Sequence, residues 1–187
     1  MAFVVIYDAS VLYPAPIRDL LLRLARTGLF QARWTDQILD ECFAALQRQR
    51  PDLAPDRLAR TRELIVQAVP DCLVEGYQSL IDGLHLPDPD DRHVLAAAIR
   101  AGSQVIVTSN LRDFPAEQLS PYDIEAQSAD EFVTELLSLA PDVVVSTVRE
   151  QAANLKQPPQ TIEQLLDTLA KSIPLTVREI RRHIAGE

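Results

Sequence analysis

Residues 87–108 have the sequence PDPDDRHVLAAAIRAGSQVIVT, which predicts a helix that leads into a buried strand. Asp88 is suited to an N-cap, and Pro89 then falls at the first helical position, where proline is well tolerated. Gly102 is suited to end the helix. The β-branched run at 104–108 lacks polar alternation, which is typical of a strand buried on both faces. This stretch therefore predicts one helix–strand unit of an α/β fold.

The same alternation extends in both directions from this stretch. Residues 3–7 and 30–34 are short apolar runs typical of buried strands, and leucines at helical spacing lie between them. Two further helices are predicted at about 35–50 and 55–69, and two further strands at 72–75 and 122–127. Strands that alternate with helices form right-handed βαβ units. We therefore expect an α/β protein with a parallel sheet of about four to five strands, flanked by helices.

Strand patterns stop near residue 128, and the remaining chain is expected to be helical. We therefore predict two units, residues 1–127 as an independent domain and residues 128–187 as a C-terminal helical extension. Four apolar residues of the extension recur at helical spacing, namely Leu165, Leu166, Leu169 and Ile173. They indicate either packing against the first unit or a surface that binds another protein, and the sequence leaves both open.

The composition, 47% apolar and 24% charged, is that of a globular protein. No apolar run approaches the roughly 18 residues of a membrane span, and the N-terminus lacks a secretory signal pattern. We therefore expect a cytoplasmic protein without a membrane partner. Cys42 and Cys72 have no metal-ligand spacing, and the five glycines form no phosphate-binding loop. These features argue against disulfide-stapled, zinc-binding and glycine-loop nucleotide-binding proteins.

The formal net charge of −9 argues against nucleic-acid binding by bulk electrostatics. All cationic side chains within residues 1–127 are arginines, whose planar forks bind phosphates in a bidentate manner. Local phosphate contacts therefore remain compatible with an acidic protein.

Acidic and amide side chains are predicted to meet where the strands end. Asp8 follows the first strand, Asn110 and Asp113 follow the strand at 104–108, and Asp91 opens the helix before it. Glu41 lies one turn into the helix after the second strand. Ligands of parallel sheets gather at the carboxyl ends of strands, and clustered carboxylates are stable together mainly around a hard divalent cation. Taken singly, each residue also suits a helix cap, a turn or an exposed helix flank.

Two other acidic α/β sites fit these residues poorly. A haloacid-dehalogenase-type phosphatase requires a second aspartate two positions after the first, where this chain has Ser10. That phosphatase and a phospho-receiver domain also require a lysine, and the lysines of this chain are Lys156 and Lys171, both beyond residue 127.

The same residues carry a resemblance to a known family. Asp8 in VIYDAS, Glu41 in ILDEC, Asp91 in DPDDRHVLAAA and the segment TSNLRDF at 108–114 together resemble the PIN domain, especially that of bacterial VapC-type toxins. The resemblance covers about residues 3–127 and implies a PIN-like α/β/α sandwich. It also implies an endoribonuclease that depends on Mg²⁺ or Mn²⁺.

The resemblance further implies the roles of individual residues. Asp8, Glu41, Asp91 and Asp113 are the expected catalytic residues and metal ligands, and Asn110 is a further expected ligand. Many PIN domains have aspartate at the position of Asn110, which here offers a carbonyl oxygen without charge. Several neighbours have expected supporting roles: Ser10 or Thr108 would donate hydrogen bonds to the ligands, and Arg92 and Arg112 would bind RNA.

The implied partners are an RNA substrate and, for the toxin of a type II toxin–antitoxin system, an antitoxin protein. A second copy of the chain is another candidate partner. Two other classes of function stay open. One is a metal-binding interaction protein without catalysis, which the uncharged Asn110 favours. The other is a metal-dependent phosphohydrolase of small phosphate esters.

Overall fold

Four parallel strands form the centre of the structure, a computed structural model that describes residues 3–186. The strands are β1 (Phe3–Tyr7), β2 (Phe30–Arg33), β3 (Val105–Val107) and β4 (Glu125–Gln127). They lie in the order β2-β1-β3-β4, so β1 and β3 are central and β4 is an edge strand. Ile6 of β1 pairs with Arg33 on one side and Ile106 on the other. The carboxyl ends of β1 and β3 are therefore direct neighbours.

Helices surround this sheet and continue beyond it. The first six are α1 (Ala9–Leu12), α2 (Ala15–Ala25), α3 (Asp36–Gln49), α4 (Pro55–Ala68), α5 (Arg92–Ala101) and α6 (Ala116–Leu119). The last four are α7 (Ala129–Leu139), α8 (Pro141–Asn154), α9 (Ile162–Leu169) and α10 (Pro174–Ala185). The expected α/β class with C-terminal helices is confirmed. Within residues 3–186, no helix combines the length and apolar character needed to cross a membrane.

The stretch that predicted the fold has the expected local structure. Asp88 caps a 3₁₀ turn at Pro89–Asp91, and its side chain accepts a hydrogen bond of 2.9 Å from the Asp90 amide. This turn leads directly into α5. Gly102 ends α5 in the left-handed conformation at φ 63°, which glycine adopts without steric cost.

The predicted strand at 72–75 is wrong. Leu73 makes one isolated parallel bridge with Trp34, fixed by hydrogen bonds of 2.8 Å from the Trp34 amide to Cys72 and from the Val74 amide to Trp34. Gly76, at φ 72°, turns the chain away immediately afterwards. The apolar run is therefore too short to extend the sheet by a fifth strand.

The C-terminal helices pack onto the sheet unit through an aromatic contact. Phe132 of α7 meets Phe30 edge-to-face with ring centroids 5.0 Å apart, and it meets Tyr7 at 6.3 Å. The four apolar residues left open above, Leu165, Leu166, Leu169 and Ile173, are each at most 1% exposed. They pack inside the chain, which is the first of the two alternatives left by the sequence, and the alternative of a surface for another protein is wrong for these four residues.

Candidate metal centre

Asp8 lies at the carboxyl end of β1 with its carboxylate held in one orientation. Its Oδ1 accepts a hydrogen bond of 2.7 Å from the Ala9 amide, which caps α1. Its Oδ2 accepts hydrogen bonds from the Ser10 hydroxyl at 2.6 Å and the Thr108 hydroxyl at 2.9 Å. The residue is only 6% exposed. Three donors therefore fix a nearly buried carboxylate between the ends of two adjacent strands.

The two hydroxyls also fix the loop that follows β3. The Ser109 amide donates to Ser10 Oγ at 2.9 Å, and the Asn110 amide donates to Thr108 Oγ1 at 3.0 Å. Asp8 and the segment that bears Asn110 and Asp113 thus form one hydrogen-bonded unit. Ser10 and Thr108 occupy the supporting positions that the sequence analysis predicted for them.

Three further carboxylates converge beside this unit. One oxygen from each of Asp88, Asp91 and Asp113 lies within 4.8 Å of the other two. Asp91 Oδ2 is buried, and no hydrogen-bond donor reaches it from the described residues. Burial raises the pKa of Asp91 to about 6, and repulsion by Asp8, Asp88 and Asp113 adds to this effect. The charge of Asp91 is therefore poorly compensated by the protein itself.

This donor set fits a hard divalent cation. Magnesium and calcium, like manganese, prefer carboxylate, carbonyl and water oxygens as ligands. Three carboxylates converge here, Asp8 is near enough to repel Asp91, and the buried Asp91 Oδ2 has no hydrogen-bond donor among the described residues. A cation would offset the repulsion among these carboxylates, and it would give Asp91 Oδ2 the positively charged partner that it lacks. The residues present thus suit Mg²⁺ or Mn²⁺.

Asp88 belongs to this group, although its place in the sequence predicts a helix cap. Its side chain does cap the turn at Pro89–Asp91, through the Asp90 amide. The same side chain also brings an oxygen to Asp91 and Asp113. The available signal was the third acid in Asp-Pro-Asp-Asp, because a cap needs only one or two.

Glu41 lies outside the group of three carboxylates. It is on α3, its side chain is 42% exposed, and its Oε1 lies 2.8 Å from Nε2 of the buried His93. His93 is two residues after Asp91, so the contact joins α3 to the helix that begins directly after the acidic cluster. Sequence reasoning missed this contact because nothing local indicates which helix faces His93.

Asn110 and Asp113 are joined directly, since the Asn110 amide group donates a hydrogen bond to Asp113 Oδ2. Asn110 directly precedes the 3₁₀ turn at Leu111–Asp113, and Asp113 is the last residue of that turn. Asn110 therefore orients Asp113. Because the side-chain nitrogen of Asn110 makes this contact, its side-chain carbonyl oxygen remains available for a cation.

Arg92 and Arg112 lie at the rim of the cluster. Arg92 follows Asp91 and donates from Nε to the Pro89 carbonyl at 2.9 Å. Arg112 is exposed in the turn before Asp113. Within residues 3–186, neither guanidinium pairs with a carboxylate. Both cations are therefore free to contact a phosphate.

Comparisons with known proteins agree with this geometry. The sequence matches the family profile described as "PIN domain" over residues 4–112 and that described as "VapC50 C-terminal domain" over residues 129–182. It is 37% identical over 107 residues to "Putative ribonuclease VapC50" of Mycobacterium tuberculosis (strain ATCC 25618 / H37Rv). That region is 57% of this chain and 63% of the relative, so the chain spans less than two thirds of the relative's length. No solved structure matches significantly.

The first match covers more than half of the chain. It includes β2, β3 and nearly all of β1, together with Asp8, Glu41, Asp88 and Asp91, whereas Asp113 and β4 follow its end. The second match falls on the C-terminal helices. The resemblance noted from the sequence is therefore confirmed, and the chain belongs to the PIN domain family.

Proposed function

We propose that the protein is an endoribonuclease that hydrolyses RNA phosphodiester bonds with Mg²⁺ or Mn²⁺ bound, and that it is the toxin of a type II toxin–antitoxin system. The observation that carries this proposal is the buried, unpartnered Asp91 oxygen where Asp88 and Asp113 converge beside Asp8. The name of the relative contains the word ribonuclease, which supports the same class of reaction. An RNA substrate also favours action in the cytoplasm.

The chain's own residues have distinct roles in this proposal. Asp8, Asp88, Asp91 and Asp113 would hold the cation, with Asn110 as a further ligand. A bound divalent cation supplies a Lewis acid that polarises a phosphate oxygen and lowers the pKa of water. Glu41, whose Oε2 makes no hydrogen bond to the described residues, would bind the cation or accept a proton from the attacking water. Arg92 and Arg112 would bind RNA phosphates.

The direct test compares two substrates with the purified full chain. Single-stranded RNA and a chromogenic phosphomonoester are each incubated with Mg²⁺, with Mn²⁺ and with a chelator. Cleavage of RNA that requires a cation is the expected result. Turnover of the ester alone would favour a small-molecule phosphohydrolase. Cation binding without either reaction would favour a catalytically silent interaction protein.

The pH dependence of stability tests the charge of Asp91. Its pKa is about 6 in the folded chain and close to 4 when unfolded, so the folded state holds more protons between these values. The free energy of unfolding of the metal-free protein should therefore fall as pH rises from about 4 to about 6. With Mn²⁺ the trend should weaken or reverse, because the cation competes with the proton. Thermal melts across this range, with Asp91→Asn as control, measure both effects.

The variant Asn110→Asp tests whether Asn110 is a ligand of the cation, as the resemblance implies. Aspartate removes the donor to Asp113 and adds a negative charge beside it, so the metal-free protein should melt at a lower temperature. The same charge should tighten Mn²⁺ binding, and cleavage should rise or at least persist. The shift in melting temperature on adding Mn²⁺ should therefore exceed that of wild type. A smaller shift would show that Asn110 is not near the cation.

We propose an antitoxin as partner, bound in a groove of about 500 Å³ along the outer face of α2. Helix α4 forms one wall and helices α8 and α9 form the other. Leu64 is 52% exposed there, and burial lowers the pKa of the half-buried Arg18, which pairs with no carboxylate among the described residues. The buried Gln151 Oε1 also lacks a donor within residues 3–186. An apolar antitoxin segment with an acidic side chain would complement these features.

This partner proposal predicts the effect of a charge in the groove. The partner for this test is the product of a small gene where the genome encodes one directly upstream. With that product, Leu64→Glu should weaken the complex at least about tenfold, since it opposes burial of an apolar anchor. Leu139→Glu is the control, because Leu139 is 67% exposed and outside the groove. Titration calorimetry measures both. Light scattering of the isolated chain reports whether a second copy binds instead.

We also keep the division into residues 1–127 and 128–187 as a proposal. The separate family matches and the capping box of Ser128 and Glu131 at the start of α7 support it. Circular dichroism of the truncated chain 1–127 tests whether the first unit folds alone.

A further inference from the structure

We propose that His93 is a positioning residue that holds Glu41 in the orientation its role requires, an inference that rests on the proposed function. His93 Nε2 lies 2.8 Å from Glu41 Oε1, and the imidazole is 2% exposed. Glu41 is on α3 and His93 on α5, so this contact joins α3 to the helix that begins directly after Asp91. The contact is a close approach of the two atoms, because the geometry at Nε2 does not meet the criteria of a hydrogen bond.

The burial of His93 makes a purely structural role a poor explanation. Its neighbours in α5, from Val94 to Ala98, are all buried and apolar. Apart from the approach to Glu41, neither ring nitrogen has a hydrogen-bond partner among the described residues. A buried polar group without partners destabilises the fold, so an apolar side chain of similar size would suit this position better. The contact with Glu41 is the evident compensation.

Glu41 needs such a contact to keep one orientation. Its side chain is 42% exposed, and its other polar neighbour is Gln37 Nε2, at 3.5 Å, the limit for a hydrogen bond. A flexible, exposed glutamate loses rotamer freedom when it binds a cation or positions water, and this loss weakens binding. His93 fixes Oε1 in advance and leaves Oε2 free. Partners that orient metal ligands in this way contribute about 10- to 100-fold to metal affinity or activity.

The test uses four variants of the full chain: His93→Leu, His93→Gln, Glu41→Gln and the double variant His93→Leu/Glu41→Gln. For each, we would measure the melting temperature without metal, the Kd for Mn²⁺, and kcat and KM for RNA cleavage. His93→Leu should keep or raise the metal-free melting temperature. It should weaken Mn²⁺ binding or lower kcat by about 10- to 100-fold. His93→Gln, which retains a donor, should recover much of the loss.

The double variant separates positioning from packing. If His93 acts through Glu41, the double variant should be no worse than Glu41→Gln, whereas independent effects would multiply. His85→Leu is the control, because His85 is exposed, and it should behave as wild type. Three outcomes would each overturn this inference without affecting the proposed function. The losses in the double variant could be additive, His93→Gln could fail to recover function, or His93→Leu could keep wild-type Mn²⁺ affinity and kcat. A wild-type chain that binds no Mn²⁺ would instead overturn the proposed function, and this inference with it.

Discussion

Asp8→Asn and Asp91→Asn should each reduce cation-dependent RNA cleavage by about 100-fold or more, the loss typical when one group that stabilises transition-state charge is removed. Asparagine preserves the shape of each side chain but not its charge. For Asp91, the lost charge is one that burial and the neighbours Asp8, Asp88 and Asp113 already disfavour. Metal-free Asp91→Asn should therefore be at least as stable as wild type.

The two variants should differ in their metal-free stability. Asp8 accepts hydrogen bonds from the Ala9 amide and from the hydroxyls of Ser10 and Thr108. An asparagine must place its side-chain nitrogen either at the Ala9 amide or at the two hydroxyls. The Ala9 amide cannot accept a hydrogen bond, whereas the hydroxyls are able to rotate and accept one. The fold should remain intact, with a gain in stability smaller than that of Asp91→Asn.

Asp90→Asn is the matched control for this pair. Asp90 is exposed, adjacent to Asp91, and absent from the group of converging carboxylates. It should therefore retain cleavage and the Mn²⁺-induced rise in melting temperature. If Asp8→Asn and Asp91→Asn also retained both, the carboxylates would be caps and turn residues, since asparagine caps about as well as aspartate. The assignment of the metal centre would then be wrong.

Local patterns were sufficient to predict most of the fold. The apolar runs of β1 and β3, and the cap and terminating glycine of α5, depend on neighbours in sequence, so composition and spacing reveal them. The short segment at 72–75 was mispredicted because strand length depends on how far a neighbouring strand extends. The extent of the neighbouring strand is a feature of the tertiary structure, in which Trp34 pairs with Leu73 and with no other residue of this segment.

The acidic site was less predictable than the fold. Sequence order and topology brought Asp8, Asp91 and Asp113 to one edge of the sheet, as expected for carboxyl ends of parallel strands. Asp88 was not predicted as a member of the carboxylate group because its position also suits a helix cap, whereas its carboxylate serves the cap with one oxygen and has another available. The contact of Glu41 with His93 depends on the packing of α3 against α5, which no local pattern encodes.

The C-terminal helices illustrate the same limit. Helical spacing of leucines predicts an apolar face but does not identify what covers it. Leu165 and Leu166 are covered by this chain itself. The contact that ties the helices to the sheet, Phe132 on Phe30 and Tyr7, involves a single aromatic residue without a distinctive pattern.

Phe132→Ala should destabilise the whole chain by about 3–5 kcal/mol, the usual range for removal of a buried phenylalanine. Phe132 is 1% exposed, and its ring fills the space between α7 and the rings of Phe30 and Tyr7. A change of this size corresponds to roughly 10 °C in melting temperature for a chain of this length. Leu139→Ala on the same helix is the control and should have little effect, since Leu139 is 67% exposed.

The effect of Phe132→Ala should extend to the metal centre. Tyr7 lies directly before Asp8, stacks on Trp34 with ring centroids 6.2 Å apart, and donates from its hydroxyl to the Leu21 carbonyl. A cavity beside Tyr7 removes one of the surfaces that hold the end of β1. Because the cation binds only the folded state, Mn²⁺ should still raise the melting temperature of Phe132→Ala. A melting temperature equal to that of wild type would show that α7 adds little to the stability of the sheet unit, and that the extension packs on it without supporting the fold.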